Sequence, residues 1–248
     1  MGNDLNRRGF LGGGIAAVAS TAVPSAEAAP APDKPLKNAL PYNPRTHKAM
    51  PTHNLGRTGY RVGILSLGGQ ATIEKPGTED ESQAIINRAI DLGVNYIDSA
   101  AAYGKGVSEK HIGMVMKTRR KEVFITSKTP DRTYDGTMRV MENSLRNMQT
   151  DHLDLWQIHN LRTKEQLDQI FASDGAVKAL EKCREEGMAT FLGVTGHYEP
   201  NILLEAIRRF PFDTILMAVN AADRHYLSFI EHLLPAAQQK QMGIIGMK

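Results

Sequence analysis

The chain has 248 residues, of which 41% are hydrophobic and 23% charged, with a formal net charge of +3, and this is ordinary usage for a globular protein of one large or two small domains. No basic run is interleaved with aromatic residues, so we do not expect nucleic-acid binding. The single cysteine, Cys183, excludes a disulfide framework and a cysteine-cluster metal site.

Residues 1–28 are typical of an export signal. Arg7 and Arg8 stand ahead of a weakly apolar run that is too short and glycine-rich to span a bilayer, and residues 26–28 offer a small-x-small cleavage site. Adjacent arginines in this setting resemble the twin-arginine signal of bacteria. We therefore expect the twin-arginine export machinery as a partner, a periplasmic or otherwise exported location, and no stable membrane insertion after signal cleavage.

Residues 29–51 contain six prolines. Proline at this density disfavours both helix and sheet, so this segment is predicted to be an extended linker between the signal and the folded domain. The folded domain is then expected over residues 52–248.

Short apolar runs alternate with amphipathic segments from residue 60 onward. The runs are mostly β-branched or aliphatic, which suits strands buried on both faces of a parallel sheet. Strands are predicted at Gly63–Leu67, Val94–Asp98, Val123–Ser127, Leu153–Ile158, Ala189–Thr195, Thr214–Val219 and Gly243–Met247. Helices are predicted from Thr78, from Ser108, and over residues 135–148, 175–186, 199–209 and 227–240.

This alternation predicts right-handed β-α-β crossovers and an α/β fold. We interpret it as a (β/α)8 TIM barrel rather than a doubly wound sheet, because the segment after the first predicted strand, residues 68–70, lacks the full spacing of a dinucleotide-binding glycine turn. Two extended pieces, Thr52–Leu55 and Tyr60–Val62, flank a glycine-bounded turn and predict a hairpin that plugs the bottom of the barrel.

Four chemically suitable residues lie where predicted strands end. Asp98 ends the second strand, Tyr103 follows it in the next loop, and Lys128 and His159 stand at the ends of the third and fourth strands. In a barrel of this type, the carboxyl ends of the strands form one rim that carries the catalytic groups. We therefore expect these four side chains to meet at that rim.

The set suits reduction of a carbonyl group, which needs hydride at carbon and a proton at oxygen. The hydroxyl of Tyr103 is a weak acid, and the Lys128 ammonium is expected to lower its pKa by favouring the phenolate. Asp98 is expected to hold Lys128 in place and charged. His159 is expected to donate to the carbonyl oxygen or to relay the proton, and the hydride belongs to a nicotinamide cofactor.

Gly93–Gly104, followed by Ser108-Glu109, resembles the signature segment of the aldo-keto reductases. Phe124–Lys128 resembles the lysine strand of that family, Asp151–His159 the histidine strand, and Leu192–Thr195 the strand that ends beside the nicotinamide. The resemblance runs from about Asn54 to the last residue. It implies a (β/α)8 barrel, NADP(H) or less often NAD(H) as cofactor, and a small aldehyde or ketone as substrate.

The same resemblance implies a catalytic tetrad of Asp98, Tyr103, Lys128 and His159, with Tyr103 as the acid. It also implies cofactor contacts at Asp98 and at three positions that depart from the family pattern. Thr195-Gly196 stands where the family usually has Ser-Asn, and His197, which follows, is expected to substitute for the asparagine. Asn220 is the amide nearest to a family glutamine.

The chain stops just after the seventh predicted strand. The family's eighth strand and the segment that grips the adenosine 2′-phosphate would follow Lys248, so we expect a chain truncated at its C-terminus. Seven strands are then present and the barrel over residues 52–248 is incomplete.

Two other functions remain open on the sequence. One is a non-catalytic nucleotide-binding barrel that acts as an accessory or sensing protein. The other is a metal-dependent hydrolase in which Asp98, His159 and His197 meet, but no His-x-His or Glu-x-x-His spacing favours it, so no metal is expected.

Overall fold

The computed structural model of the protein describes residues 35–247, so the predicted export signal and residues 29–34 of the predicted linker lie outside the described residues. The strands in this range are β1 (Thr52–Asn54), β2 (Arg61–Gly63), β3 (Leu67–Gly68), β4 (Tyr96–Asp98), β5 (Phe124–Thr129), β6 (Leu153–Ile158), β7 (Ala189–Gly196), β8 (Thr214–Ala218) and β9 (Gly243–Met247). The α-helices are α1 (Thr46–Ala49), α2 (Glu79–Asp91), α3 (Val107–Arg119), α4 (Tyr134–Met148), α5 (Lys164–Ile170), α6 (Ala176–Glu186), α7 (Pro200–Arg209), α8 (Phe229–His232) and α9 (Leu234–Gln239).

Strands β3 to β9 form one sheet in which every neighbouring pair is parallel and the order across the sheet is the order along the chain. A doubly wound sheet would reverse this order near its middle. The rings of Phe124 on β5 and Phe191 on β7 lie 6.1 Å apart between centroids. Strands two apart in a flat sheet are separated by about 9.6 Å, so the sheet curls toward the face that carries these rings. The prediction of an α/β barrel-type fold with seven strands is confirmed.

The first strand of this sheet differs from the prediction. Gly63 belongs to the hairpin strand β2, where it is paired with Thr52, and its N–H donates to the side chain of Asn95 at 2.9 Å. The sheet strand β3 begins only at Leu67. The apolar run predicted at Gly63–Leu67 is therefore divided between two sheets, with Ile64 and Leu65 exposed between them.

The predicted hairpin is present as the antiparallel pair β1 and β2. Leu55 and Tyr60 at its turn are buried in one hydrophobic cluster with side chains from the starts of the sheet strands: Tyr96, Phe124, Leu155 and Phe191. The hydroxyl of Tyr60 donates to the carbonyl of Asn95 at 2.8 Å, so its buried polar atom is satisfied. The hairpin thus closes the bottom of the curled sheet.

The described part of the predicted linker is packed, in contrast to the expected extended tether. The side chain of Asn43 donates to the carbonyl oxygens of Ile90 and Val94 at 2.9 and 3.3 Å, and the hydroxyl of Thr46 donates to that of Gly93 at 2.8 Å. Helix α1 begins at Thr46. Proline spacing excludes long regular elements but does not prevent polar side chains from binding the carbonyls of a neighbouring turn.

Two helical regions also differ from the prediction. The single helix expected over residues 227–240 is two short helices, α8 and α9, that break at Leu233, and Pro235 lies in the first turn of α9. Proline lacks the N–H that a continuous helix would need there. Helix α5 was not predicted, although Thr163 caps it by accepting from the N–H of Gln166 at 3.3 Å.

Helices α3 and α4 approach closely at Gly113. A methyl group on Gly113 would lie 2.2 Å from the carbonyl oxygen of Asn147 and 2.8 Å from Cα of Met148. We expect Gly113→Ala to lower the free energy of unfolding by about 1–2 kcal/mol, because overpacking outweighs the gain of about 1 kcal/mol in helix propensity. Urea unfolding measures this change.

The matched control is Gly68→Ala, since a methyl group there would meet no other atom within 4 Å. That variant should stay within about 0.5 kcal/mol of the parent. Equal stability of the two variants would contradict the close packing of α3 on α4.

Candidate active site

Side chains that face the inside of the curled sheet alternate with those that face the helices. The inside column of β5 is Phe124, Thr126 and Lys128, and that of β6 is Leu155 and Gln157, with His159 directly after the strand. The amide of Gln157 donates to the hydroxyl of Thr126 at 2.8 Å. Each column therefore runs from an apolar bottom through a polar middle to a functional group at the top.

Asp98 and Lys128 form a buried ion pair at this top rim. Lys128 is 1% exposed. Its Nζ donates to Oδ2 of Asp98 and to the carbonyl oxygen of Ser99, the latter at 2.6 Å. Burial lowers the pKa of the Lys128 ammonium, and the charge of Asp98 opposes that shift. The expected contact between these two residues is present.

Tyr103 reaches the same rim from the loop after β4. The Nζ of Lys128 lies 5.0 Å from the centroid of its ring. The loop turns back because Gly104 adopts φ of 56°, and a side chain there would lie 2.1 Å from the carbonyl oxygen of Glu74. Glycine at this position thus determines where Tyr103 lies.

The pKa of Tyr103 moves opposite to the sequence expectation. Burial raises the pKa of its hydroxyl above the ordinary value, and the carboxylates of Asp98 and Glu74 add to the increase. Lys128 does not reverse this effect because its charge is already paired with Asp98. In this arrangement Tyr103 is a protonated phenol across the neutral range of pH.

His159 completes the group. Its ring meets the ring of Tyr103 edge to face, with centroids 5.7 Å apart and an interplanar angle of 81°. Burial, together with the charges of Lys128 and Arg132, lowers the pKa of His159 to about 3. His159 is therefore a neutral imidazole at physiological pH, with one N–H donor and one acceptor nitrogen.

The three remaining residues predicted to contact a cofactor lie on neighbouring strand ends. Thr195 is buried at the end of β7, where its hydroxyl accepts from the N–H of Asn160 at 2.8 Å. His197 follows the same strand, and its charge acts on His159. Asn220 lies after β8 in an exposed loop and accepts from the N–H of Ala222 at 3.0 Å. Thr195 and His197 therefore interact with the loop that carries His159, whereas the contacts of Asn220 stay within its own loop.

Two rim residues were missed by sequence reasoning. Asn160 directly follows His159 with φ of 53°, and its buried Oδ1 has no hydrogen-bond partner among the described residues. Arg132 follows β5, and its Nη2 donates to the carbonyl oxygen of His159 at 2.7 Å. Asn160 could have been found from its position beside a predicted catalytic residue. Arg132 carries no comparable signal, because a charged loop residue is usually solvated.

Among residues 35–247, no helix combines the length and the apolar character needed to cross a membrane. In the same range, no three His, Cys, Asp or Glu side chains converge as ligands for a metal ion. Cys183 is buried in α6, and burial raises the pKa of its thiol to about 12.

Comparison with known proteins matches residues 62–248 to the model of the aldo/keto reductase family. The chain is 24% identical over 207 residues to an uncharacterized oxidoreductase of Bacillus subtilis, in an alignment that covers 79% of this chain and 61% of the relative. It is 28% identical over 206 residues to L-galactose dehydrogenase of Arabidopsis thaliana, covering 77% of this chain and 63% of the relative. The chain thus spans less than two thirds of the length of either relative.

A solved structure of an aldo-keto reductase from Klebsiella pneumoniae in complex with NADPH is also similar. It superposes with a TM-score of 0.65 at 26% sequence identity, and the match covers 75% of this chain and 63% of that one.

The low pKa of His159 predicts a pH-dependent stability. Its folded-state value is about 3, below the ordinary value of 6.5, so the unfolded chain takes up a proton first as the pH falls. Its contribution to stability is complete above pH 6.5 and is lost toward pH 3, with a slope of at most about 1.4 kcal/mol per pH unit. We expect urea unfolding to show a steeper loss in the parent than in His159→Gln as the pH falls below 6.5. Parallel curves would show that His159 titrates normally.

Proposed function

The chain belongs to the aldo/keto reductase family, and we propose that it reduces the carbonyl group of an aldehyde or ketone to an alcohol with NADP(H). The observation that carries this proposal is the rim arrangement: a protonated Tyr103 between the neutral ring of His159 and the buried Lys128–Asp98 pair. Such a set offers a proton donor, a second hydrogen-bonding group and a fixed positive charge at one place.

When bound, the cofactor supplies the hydride that is added to the carbonyl carbon. The hydroxyl of Tyr103 gives its proton to the carbonyl oxygen as negative charge develops there, so the O–H bond of Tyr103 breaks and that of the alcohol forms. His159 is uncharged and can hydrogen-bond to the same oxygen without competing as an acid. The Lys128 ammonium, 5.0 Å from the Tyr103 ring, stabilises the phenolate until solvent returns a proton.

The rim residues suit a nicotinamide riboside. Oδ1 of Asp98 is buried and has no hydrogen-bond partner in the described part of the chain, so it can accept from a ribose hydroxyl. The Thr195 hydroxyl accepts from Asn160 and keeps its hydrogen free to donate to a carboxamide oxygen. We assign further contacts to His197 and Asn220. The relative from Klebsiella pneumoniae, whose structure is a complex with NADPH, supports NADP(H) over NAD(H).

Tyr103→Phe tests the acid role. The change removes the proton donor and keeps the ring, so we expect kcat to fall by about 100-fold or more while the affinity for NADPH stays nearly constant. The rate is followed as loss of nicotinamide absorbance with a panel of aldehydes, and affinity by quenching of NADPH fluorescence.

Tyr42→Phe is the matched control, because Tyr42 is exposed in the segment that packs against the turn before β5. Full activity of Tyr103→Phe would overturn the assignment of the acid. NADPH binding without any aldehyde reduction by the parent would instead favour the accessory or sensing function.

We propose in addition that residues 1–28 direct the protein out of the cytoplasm through the twin-arginine machinery. Support comes from Arg7-Arg8, the mild apolar run and the small-residue cleavage site. Changing both Arg7 and Arg8 to Lys should leave the protein in the cytoplasmic fraction of a bacterium that has this machinery. Arg61→Lys, on the exposed hairpin, is the control. Unchanged export of the double variant would contradict this route.

A further inference from the structure

The rim of the site is polarised in charge. The carboxylates of Asp98 and Glu74 act on Tyr103 from the β3–β4 side. On the β5–β7 side, the charges of Lys128, Arg132 and Arg162 and the imidazole of His197 all act on His159. Asp98 pairs with Lys128. Within residues 35–247, Arg132 and Arg162 form no ion pair with an acidic side chain, although the charge of Asp131 acts on Arg132.

Arg132 is held against the backbone of the site. Its Nη2 donates to the carbonyl oxygens of His159 and Asn160 at 2.7 and 3.3 Å. Its Nε and Nη1 are buried and make no hydrogen bond within residues 35–247. The nearest acid, Asp131, uses Oδ1 to accept from the backbone and the hydroxyl of Thr133 at 2.8 and 2.7 Å. Half of the Arg132 guanidinium therefore lacks acceptors among the described residues.

Arg162 lies three residues after His159 in the same loop. Its guanidinium carbon lies 5.8 Å from the centroid of the Tyr198 ring, and Tyr198 is exposed after β7. In the described part of the chain, Arg162 forms no ion pair. Its guanidinium contacts this ring, and its backbone N–H donates to the side chain of Gln166 at 3.0 Å. An exposed arginine that lies over an aromatic ring keeps its charge and is suited to bind an anion.

We infer that the carbonyl substrate carries an anionic group, a carboxylate or a phosphate, which Arg132 and Arg162 bind while the carbonyl oxygen lies between Tyr103 and His159. This inference rests on the proposed reductase function and names its substrate class. Because Arg132 contacts the backbone of His159 itself, the anion must be only a few bonds from the carbonyl. Short oxo acids and small phosphorylated aldehydes fit this description.

A bound anion would also supply the hydrogen-bond acceptors that the Arg132 guanidinium lacks. A buried guanidinium without acceptors is costly, and a carboxylate or phosphate offers two oxygens in the geometry that arginine binds best. A neutral aldehyde would leave Nε and Nη1 of Arg132 unsatisfied. The site should therefore discriminate between an acid and its ester.

The test compares the full chain with NADPH and three aldehydes: 4-oxobutanoate, glyceraldehyde 3-phosphate and methyl 4-oxobutanoate. We expect kcat/KM to be at least about tenfold higher for one or both anions than for the ester, and this preference to weaken with rising salt. Preference for 4-oxobutanoate identifies a carboxylate as the anion, and preference for the phosphate ester identifies a phosphate. Equal or better use of the neutral ester would overturn the inference.

Arg132→Met and Arg162→Met should each remove most of the preference by lowering kcat/KM for the anion and not for the ester. Arg162 is exposed, so its variant tests the inference even if Arg132→Met fails to fold. Arg88→Met, on the exposed surface of α2, is the matched control and should keep the preference. An equal fall for all three aldehydes in both rim variants would mean that the arginines only brace the rim, and would overturn the inference.

Failure of the reductase function gives a different result. In that case none of the three aldehydes is reduced by the parent chain. Calorimetric titration with succinate, which cannot be reduced at a carbonyl, still probes the arginines. Binding of succinate that is lost in Arg162→Met supports the anion site without catalysis, and absence of binding to the parent overturns it.

Discussion

The ammonium of Lys128 is almost completely shielded from water. The rest of the site depends on the groups that neutralise and hydrogen-bond this charge. An unpaired charge at such a depth costs several kcal/mol. Asp98 and the carbonyl of Ser99 meet it, and both come from the end of β4. The sheet register makes this possible, because Asp98 lies opposite Thr126, two residues before Lys128 on the same face of β5. The pair therefore links β4 to β5 at the rim. It holds the Lys128 ammonium at one position beside Tyr103 and His159.

Hydrophobic burial at the bottom of the curled sheet offsets the free-energy cost of the buried polar groups at the rim. Leu55 and Tyr60 of the hairpin pack with aromatic and aliphatic side chains from four strands, and the large cluster under the helices buries the opposite face of the sheet. Burial of this kind supplies most of the folding free energy. The top can then retain buried atoms without partners, such as Oδ1 of Asp98 and Oδ1 of Asn160. At the rim these two atoms lie beside Lys128 and His159, so a bound ligand can satisfy them there.

The sequence predicted what depends on local periodicity. Strand ends follow from apolar runs, and a parallel sheet brings strand ends to one rim, so Asp98, Lys128 and His159 could be placed together before any coordinates were known. Properties set by tertiary burial could not be predicted. The direction of the Tyr103 pKa depends on how deeply its loop packs, and the role of Arg132 depends on a backbone carbonyl 27 residues away in sequence. The prediction of an extended linker was wrong for residues 35–51 for the same reason, because Asn43 donates to a carbonyl oxygen distant in sequence.

The raised pKa of Tyr103 and the positive charge of Lys128 both suit a proton donor, which is the role proposed for Tyr103. Before reaction, Asp98 neutralises Lys128, so the phenol keeps its proton and does not ionise in the resting protein. In the proposed reaction, the carbonyl oxygen becomes basic only as hydride reaches the carbon, and the proton then moves to a base far stronger than the phenolate. Lys128 meanwhile lies close enough to the ring to reduce the cost of the charge left behind. Under the proposed reaction, Tyr103 therefore keeps its proton in the resting protein, releases it as negative charge develops on the carbonyl oxygen, and regains one from solvent afterwards.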